Sequence, residues 1–245
     1  MCIRDRIKAV QKKLDIQSYK GYLGKGDSWR VEHSRIIEYK GNRNASVRPL
    51  FMEGITDYFL DKHPCEIITN LEVDDKVVIE CTGNKLKVLV AVDKDYEGCQ
   101  GINLYNPNSE DASFRHINGL GKLYLNEKGD VKGSGYIWLL HQIASGDSSD
   151  NYFANSATTT KWGEKGSYKR LVECTSIEAA KQATVEIYKH LYPTPFEWAG
   201  WRGDTLKLDW QAVLKENFTM ARMLTNEFEL VQLDDIFNEH FGEYL

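Results

Sequence analysis

The sequence lacks long hydrophobic runs, paired cysteines and an excess of positive charge. Its longest apolar stretches, 88–92 and 136–140, are much shorter than the roughly 20 residues of a membrane-spanning helix, so we expect no membrane segment. Five cysteines without a CxxC pair favour reduced thiols and a cytoplasmic location over a secreted disulfide framework. The net charge of −5 excludes a uniformly basic nucleic-acid coat, so any anion must be bound by local patches.

The composition does support a substantial core, because 42% of the 245 residues are hydrophobic. Apolar spacing predicts alternating helices and strands at first and mainly helices later. We therefore predict an α/β catalytic domain at 1–145 and a helical region at 146–245. Within the first, the apolar run 86–92 is typical of a buried strand in a parallel sheet, and 123–132 is typical of a hairpin.

The first residues, Met-Cys-Ile-Arg-Asp-Arg, are neither a signal peptide nor a mitochondrial presequence, because they have no apolar segment before a cleavage site. They resemble translated adapter sequence at the end of a sequencing contig. We therefore expect the natural reading frame to begin further upstream.

Three acidic clusters are the strongest chemical signal. They are Glu72-Val-Asp74-Asp75, Asp93-Lys-Asp95 and Asp147-Ser-Ser-Asp150. Ligands of open α/β sheets bind at the carboxyl ends of strands, where Asp93 would lie. Carboxylates that share one cleft repel each other unless cations neutralise them. Oxygen ligands suit Mg²⁺ or Mn²⁺, and the lack of Cys/His spacing argues against zinc. Any single cluster also fits a solvated turn or a helix start.

Three other known motifs are matched only in part, because the sequence lacks a residue that each of them requires. The segment from Asp93 starts like an EF-hand loop, but its twelfth position is Leu104 instead of Glu. The glycine-rich segment 21–28 has Asp27 where a phosphate-binding loop requires Lys. Haloacid-dehalogenase phosphatases carry Thr or Val where this chain has Glu97.

A segment rich in aromatic and cationic residues, 29–43, precedes the acidic clusters. Tyr39 and Trp29 could stack on unpaired bases, or they could be ordinary packing residues. Lys40 and Arg43 equally fit a solvated face when they are considered alone.

Taken together, the acidic clusters, Glu38-Tyr-Lys-Gly-Asn-Arg43 and Asn103-Leu-Tyr-Asn-Pro107 resemble the 5' to 3' exonucleases and flap endonucleases. This family includes phage enzymes and the N-terminal domain of bacterial DNA polymerase I. The resemblance covers about 21–171 and extends in weaker form to about 223. It implies a PIN-like, mostly parallel sheet flanked by helices, followed by a helical helix-three-turn-helix DNA-binding region.

The implied function is metal-dependent hydrolysis of phosphodiester bonds at DNA 5' ends, nicks or flaps. RNA/DNA hybrids are further implied substrates, and the enzyme is expected to be a monomer in a bacterial or phage-infected cell. The implied ligands of two Mg²⁺ or Mn²⁺ ions are Glu72, Asp74, Asp75, Asp93 and Asp95 for one ion and Asp147 and Asp150 for the other. The implied catalytic residues are Lys40, Arg43, Asp93 and Asp95. The implied nucleic-acid-binding residues are Arg30, Tyr39, Lys40, Arg43, Gly163, Lys165, Lys169 and Arg170.

The sequence departs from the family pattern in two places. No strand with the family's first Asp precedes Gly21, so we expect that strand to be missing. In the DNA-binding hairpin, Lys161-Trp-Gly163-Glu-Lys165 keeps the second glycine and the lysine of Gly-x-Gly-x-Lys but loses the first glycine. In the family the glycine amides of this motif bind K⁺. Two alternatives therefore stay open: a DNA-binding protein with impaired catalysis, and a PIN-like ribonuclease.

Overall fold

The computed structural model describes residues 3–43, 49–108 and 114–245, so Met1 and Cys2 of the adapter-like segment lie outside it. The helices are α1 (Ile3–Leu14), α2 (Trp29–His33), α3 (Met52–Lys62), α4 (Val73–Cys81), α5 (Tyr136–Ser145), α6 (Glu164–Leu171), α7 (Ile177–Leu191), α8 (Trp210–Ala221) and α9 (Leu233–Phe241). The strands are β1 (Gly21–Gly24), β2 (Cys65–Ile68), β3 (Leu89–Val90), β4 (Ile102–Tyr105), β5 (Phe114–Ile117), β6 (Lys122–Leu125), β7 (Val131–Ser134), β8 (Phe196–Ala199) and β9 (Thr205–Leu208). Short 3-10 helices include Lys94–Gly98 and Glu227–Val231.

The strands form small sheets flanked by helices, which confirms the predicted α/β class. Strand β1 pairs in parallel with β2, and β3 pairs in parallel with β4. The pairs β4–β5, β6–β7 and β8–β9 are antiparallel, and β6–β7 is the predicted hairpin. Helices α6 to α9 lie in the segment where the apolar spacing predicts mainly helices.

The apolar run at 86–92 differs from its prediction. Only Leu89–Val90 forms a strand, and Leu86 and Val92 are 95% and 58% exposed. The physical reason is its position: in the described sheets β3 is an edge strand that pairs only with β4. The prediction of a fully buried strand was therefore wrong in this structure, although Asp93 does follow the strand.

Helix α5 is the centre of the molecule, and all of its residues are buried. A helix that is buried on every side must be surrounded by other elements, and α6, α7 and α8 pack against it. The largest core cluster includes Ile36, Leu140 and Phe218. It joins residues from both sides of the predicted boundary at 145, so the two predicted regions share one core.

Hairpin β8–β9 was not predicted, because the apolar spacing in this region indicates mainly helices. Its turn lies against the end of α2, where Trp201 Nε1 donates to the Ser34 carbonyl at 2.9 Å. Arg202 Nη2 donates to the Val31 carbonyl at 2.7 Å. The turn thus satisfies carbonyls that the end of a short helix leaves unpaired.

No helix in 3–43, 49–108 or 114–245 is long and apolar enough to cross a membrane.

His141 predicts a pH dependence of stability. Burial, with a further contribution from the charge of Lys94, lowers the pKa of His141 from 6.5 to about 4. Between these values the unfolded chain binds more protons than the folded chain, so stability falls as the pH falls through this window. We expect His141 to contribute a slope of up to about 1.4 kcal/mol per pH unit.

The measurement is urea unfolding between pH 7 and pH 4 for the parent and for His141→Gln, which can still hydrogen-bond to Ser167. The slope should be smaller in the variant. The exposed His190→Gln is the matched control, and an equal change of slope in both variants would contradict the prediction.

Candidate functional site

The three acidic clusters are brought together by the ends of different elements. Glu72 is the residue before α4, and Asp93 follows β3 and accepts a hydrogen bond from the Asp95 amide at 3.0 Å. Asp147 comes directly after α5 and Gly146. The clusters are close enough to interact, since Lys40 Nζ lies 2.5 Å from Glu72 Oε1 and 3.8 Å from Asp150 Oδ1. The structure therefore brings residues of the first and third clusters to the same lysine.

The sequence predicts Asp75 as a metal ligand, but in the structure its carboxylate is hydrogen-bonded to protein groups instead. It is fully buried, and both of its oxygens accept hydrogen bonds from the Arg30 guanidinium, at 2.7 and 2.8 Å. Trp29 Nε1 and the Leu224 amide donate to it at 2.7 and 2.9 Å. Burial favours the neutral acid, but the charge of Arg30 and the hydrogen bonds from Arg30, Trp29 and Leu224 together outweigh burial and lower the pKa of Asp75. Four donors occupy this carboxylate, so its role in the structure is to hold Arg30.

Arg30 connects this pair to the open side of the cleft. It is buried, its Nη1 contacts Glu72, and its Nη2 donates to the Arg222 carbonyl at 2.7 Å. The Arg222 side chain in turn pairs with the buried Glu229 at 2.7 Å. The segment after α8, for which the sequence suggested no role, therefore contacts the same network as the acidic clusters.

The predicted basic segment lies on the third acidic cluster. Tyr39 Oη donates to Asp150 Oδ2 at 2.8 Å, and Arg43 Nη2 donates to Asp150 Oδ1 at 2.9 Å. The Lys40 amide donates to the Asp150 carbonyl at 2.9 Å. Lys40 has a φ of 57°, a conformation that is uncommon for residues other than glycine and often found at functional sites. Tyr39 is buried and Arg43 is exposed. Of these two side chains, only the Arg43 guanidinium therefore faces solvent.

The middle cluster lies in a region of excess negative charge. Burial, together with the charge of Asp93, raises the pKa of Asp95 to about 7, and Gln142 Nε2 donates to Asp95 at 2.5 Å. Lys94 Nζ pairs with Asp147 at 2.7 Å. Burial alone would raise the pKa of Asp147, but the hydrogen bond and charge of Lys94 outweigh it and lower the pKa.

Asp74 lies on the other side of the same cleft. Its Oδ1 accepts a hydrogen bond from Tyr96 Oη at 2.6 Å. Burial and the charges of Glu72 and Asp93 nevertheless raise the pKa of Asp74. No sequence pattern assigns a role to Tyr96, Gln142 or Lys94. Of these, only Lys94 was detectable from the sequence, because it stands between the two acids of a motif.

The side chains of the three acidic clusters suit a hard divalent cation, because the atoms that they offer as ligands are carboxylate oxygens. In the described ranges, however, no group of three or more His, Cys, Asp or Glu side chains is positioned to hold a metal ion. Lysines occupy two of the carboxylates instead: Lys40 pairs with Glu72, and Lys94 pairs with Asp147. The raised pKa of Asp95 reflects its burial and the nearby negative charge of Asp93, and a further cation would offset that charge.

The predicted DNA-binding residues of the helical region lie at one helix. Gly163 is the residue before α6, and Lys165, Lys169 and Arg170 lie on it with exposed side chains. Trp162 fixes the start of this helix, because its Nε1 donates to the Ala144 carbonyl at the end of α5 at 2.7 Å. The three cations therefore form an exposed basic face, which we call the α6 face.

Comparison with solved structures shows that the chain has the fold of a phage 5' nuclease. The T5 D15 protein, co-crystallised with metal ions, is 15% identical over 98% of this chain and 89% of that chain, with a TM-score of 0.51. A mutant of the T5 5'-exonuclease is 14% identical over 98% of this chain and 88% of that chain, with a TM-score of 0.50.

A third solved structure is a variant of the bacteriophage T5 D15 flap endonuclease in a pseudo-enzyme–product complex with DNA and metal ions. It is 15% identical over 98% of this chain and 87% of that chain, with a TM-score of 0.50. At these identities the similarity defines the fold. No protein-family model and no curated protein matches the sequence.

The buried Arg30–Asp75 pair predicts a large loss of stability when one partner is removed. Asp75→Ala leaves a buried guanidinium without its main counter-charge, and we expect the free energy of unfolding to fall by about 3–5 kcal/mol. Asp204→Ala is the matched control, because Asp204 and its partner Arg35 are both exposed, and exposed ion pairs contribute little to stability. Chemical denaturation of both variants measures the difference, and similar losses would refute the assignment.

Proposed function

We propose that this chain is a metal-dependent, structure-specific 5' nuclease that hydrolyses phosphodiester bonds at DNA 5' ends or flaps. The observation that carries the proposal is the convergence of Glu72, Asp95 and Asp150, from three separated clusters, beside two cations of the basic segment. The shared fold with the T5 nuclease structures, of which one contains DNA and metal ions, supports it.

We propose Glu72, Asp74, Asp93, Asp95, Asp147 and Asp150 as the residues that would hold two ions, Mg²⁺ or Mn²⁺. Bound to these carboxylates, such ions would activate water and offset negative charge on the leaving oxygen. We assign Asp75 a positioning role, because its oxygens already accept four hydrogen bonds.

Lys40 and Arg43 are the groups we propose to contact the phosphate at the cleavage site. Their positive charge would stabilise the charge that develops on phosphate oxygens during hydrolysis. Arg43 is exposed and Lys40 is partly exposed, so both can reach a ligand in the cleft. Arg30 and Tyr39 are 2% and 3% exposed, so we propose that they act on the substrate only through the carboxylates that they hold.

We propose that the α6 face binds the DNA backbone without reading its sequence. Lysine and arginine side chains contact phosphates irrespective of the base sequence, and the helix start at Gly163 adds free amides. A K⁺ ion at this hairpin stays a prediction.

A second candidate is a DNA-binding protein that does not cleave. The observation that favours it is the pairing of Glu72 and Asp147 with lysines. One experiment distinguishes the two functions. Both predict binding to a flap duplex, but only the nuclease predicts cleavage products.

The first test is cleavage of a 5'-labelled flap duplex with Mg²⁺, with Mn²⁺ and with EDTA. We expect metal-dependent products that disappear in an Asp93→Ala, Asp95→Ala variant. The matched control is Asp234→Ala, Asp235→Ala, which removes two exposed acids of α9. Binding without products would favour the second candidate, and neither binding nor products would overturn both. A parallel series with single-stranded RNA and with an RNA/DNA hybrid tests for ribonuclease activity.

The second test concerns the α6 face. Replacing Lys165, Lys169 and Arg170 by alanine should weaken flap binding to a similar extent for unrelated sequences. The dependence of log affinity on log salt should become shallower by about 0.9 for each phosphate that the variant no longer neutralises. Lys207→Ala, an exposed lysine of β9, is the control. An unchanged salt dependence in the triple variant would show that DNA binds elsewhere.

A further inference from the structure

Helix α5 holds the middle acidic cluster by hydrogen bonds from one of its faces. Trp138 and Gln142 are four residues apart, so they lie on the same side of the helix. Trp138 Nε1 donates to the Lys94 carbonyl at 3.0 Å, and Gln142 Nε2 donates to Asp95 Oδ1 at 2.5 Å. The first bond holds the backbone of the motif, and the second holds a side chain.

The backbone of this segment is docked on α5 without help from Gln142. The Gly135 amide, just before the helix, donates to the Glu97 carbonyl at 2.8 Å. A Cβ atom at Gly98 would lie only 3.2 Å from the Leu139 amide nitrogen, so the two backbones approach each other closely. These contacts and the bond from Trp138 fix where the segment lies, and they leave the Asp95 side chain free to turn about its own bonds.

Gln142 is the group of α5 that restricts this rotation. Its side chain is buried in a helix whose residues are mainly apolar. A buried amide costs free energy unless it is hydrogen-bonded, and Asp95 is the partner that it has. The bond reaches one carboxylate oxygen and therefore selects one orientation of the carboxylate.

The Gln142 amide also differs in charge from the partners of the other two clusters. Lys40 and Lys94 pair with carboxylates of the first and third clusters. An amide donates a hydrogen bond but carries no net charge, so it orients a carboxylate without neutralising it. Carboxylates that bind metal ions are commonly held by such outer hydrogen bonds, and losing one lowers metal affinity by about 10- to 100-fold.

We propose that Gln142 is a positioning residue of the acidic cleft: its amide fixes the orientation of the Asp95 carboxylate and leaves the negative charge of that carboxylate to a divalent cation. Gln142 is not itself a ligand and acts on the ion only through Asp95. The inference rests on the proposed metal-dependent function and assigns a residue of the core helix to it.

The test is a titration of the full chain with Mn²⁺ alone, without DNA, in which electron paramagnetic resonance measures the free ion. Gln142→Met keeps the length of the side chain but cannot donate, and the affinity for the tighter Mn²⁺ ion should fall by about tenfold or more. The matched control is Gln182→Met, because Gln182 is an exposed glutamine of α7 that donates to the Glu186 carboxylate at 3.1 Å. It should bind Mn²⁺ like the parent.

An unchanged Mn²⁺ affinity in Gln142→Met would overturn the proposal. Gln142→Asn is a second variant for the case that the methionine does not fold in the core. It keeps the amide but is one methylene shorter, so it should also lose affinity, and parental affinity in this variant would equally contradict the proposal.

A double-mutant cycle tests whether Gln142 acts through Asp95. In an Asp95→Asn chain there is no carboxylate to orient, so adding Gln142→Met should change the remaining Mn²⁺ affinity by less than about twofold. A second loss as large as that in the parent would mean that Gln142 acts elsewhere, which would overturn the proposal.

The indole N–H signal of Trp138 separates positioning from a merely structural role. In ¹⁵N NMR spectra, assigned with Trp138→Phe, this signal should keep its position in Gln142→Met, because the bond to the Lys94 carbonyl is retained. A shift to the position of a solvent-exposed indole would show that Gln142 holds the backbone instead and would contradict the proposal.

The Mn²⁺ titration also separates this inference from the proposed nuclease activity. A parent that binds Mn²⁺ but does not cleave a flap would refute the nuclease and still permit the comparison with Gln142→Met. A Gln142→Met variant with parental Mn²⁺ affinity and parental cleavage would refute the positioning role alone. A parent that binds no Mn²⁺ would overturn both.

Discussion

The ion pair between Arg30 and Asp75 is the interaction on which the acidic cleft depends. It is fully enclosed, and it joins α2, α4 and the segment after α8, which are far apart in sequence. A buried pair of this kind gains little net stability over an apolar pair but strongly penalises arrangements that separate its members. It therefore fixes the start of α4, and with it the position of Glu72 and Asp74.

The second constraint is the surplus of negative charge beside that pair. Neighbouring acids of one motif contact different parts of the structure, because successive helical residues point in different directions. Asp75 turns inward to Arg30, whereas Asp74 faces Tyr96 and the cleft. Adjacent residues of one motif thus have opposite pKa shifts, lowered for Asp75 and raised for Asp74.

Much of this arrangement could be predicted from the sequence, and the exceptions have physical causes. The approach of Asp95 to Asp150 follows from acids placed directly after a strand and a helix. The inward turn of Asp75 was missed because its partners, Arg30 and Leu224, are remote in sequence and no local pattern identifies them. Hairpin β8–β9 was missed because its short alternation lies among stronger helical signals. The open edge of β3 has no sequence signature, since an apolar run does not reveal how many neighbours a strand has.

The pairing of Lys40 with Glu72 and of Lys94 with Asp147 gives the cleft built-in counter-ions. Many small metal-binding domains fold only when their ion is present, because their ligands have no other source of neutralisation. Here the polypeptide offsets part of the charge itself, so Glu72 and Asp147 do not need an ion to be neutralised when the chain folds. An ion bound as proposed would compete with Lys40 and Lys94 for the same oxygen atoms, so a change at either lysine would alter the affinity of the cleft for that ion.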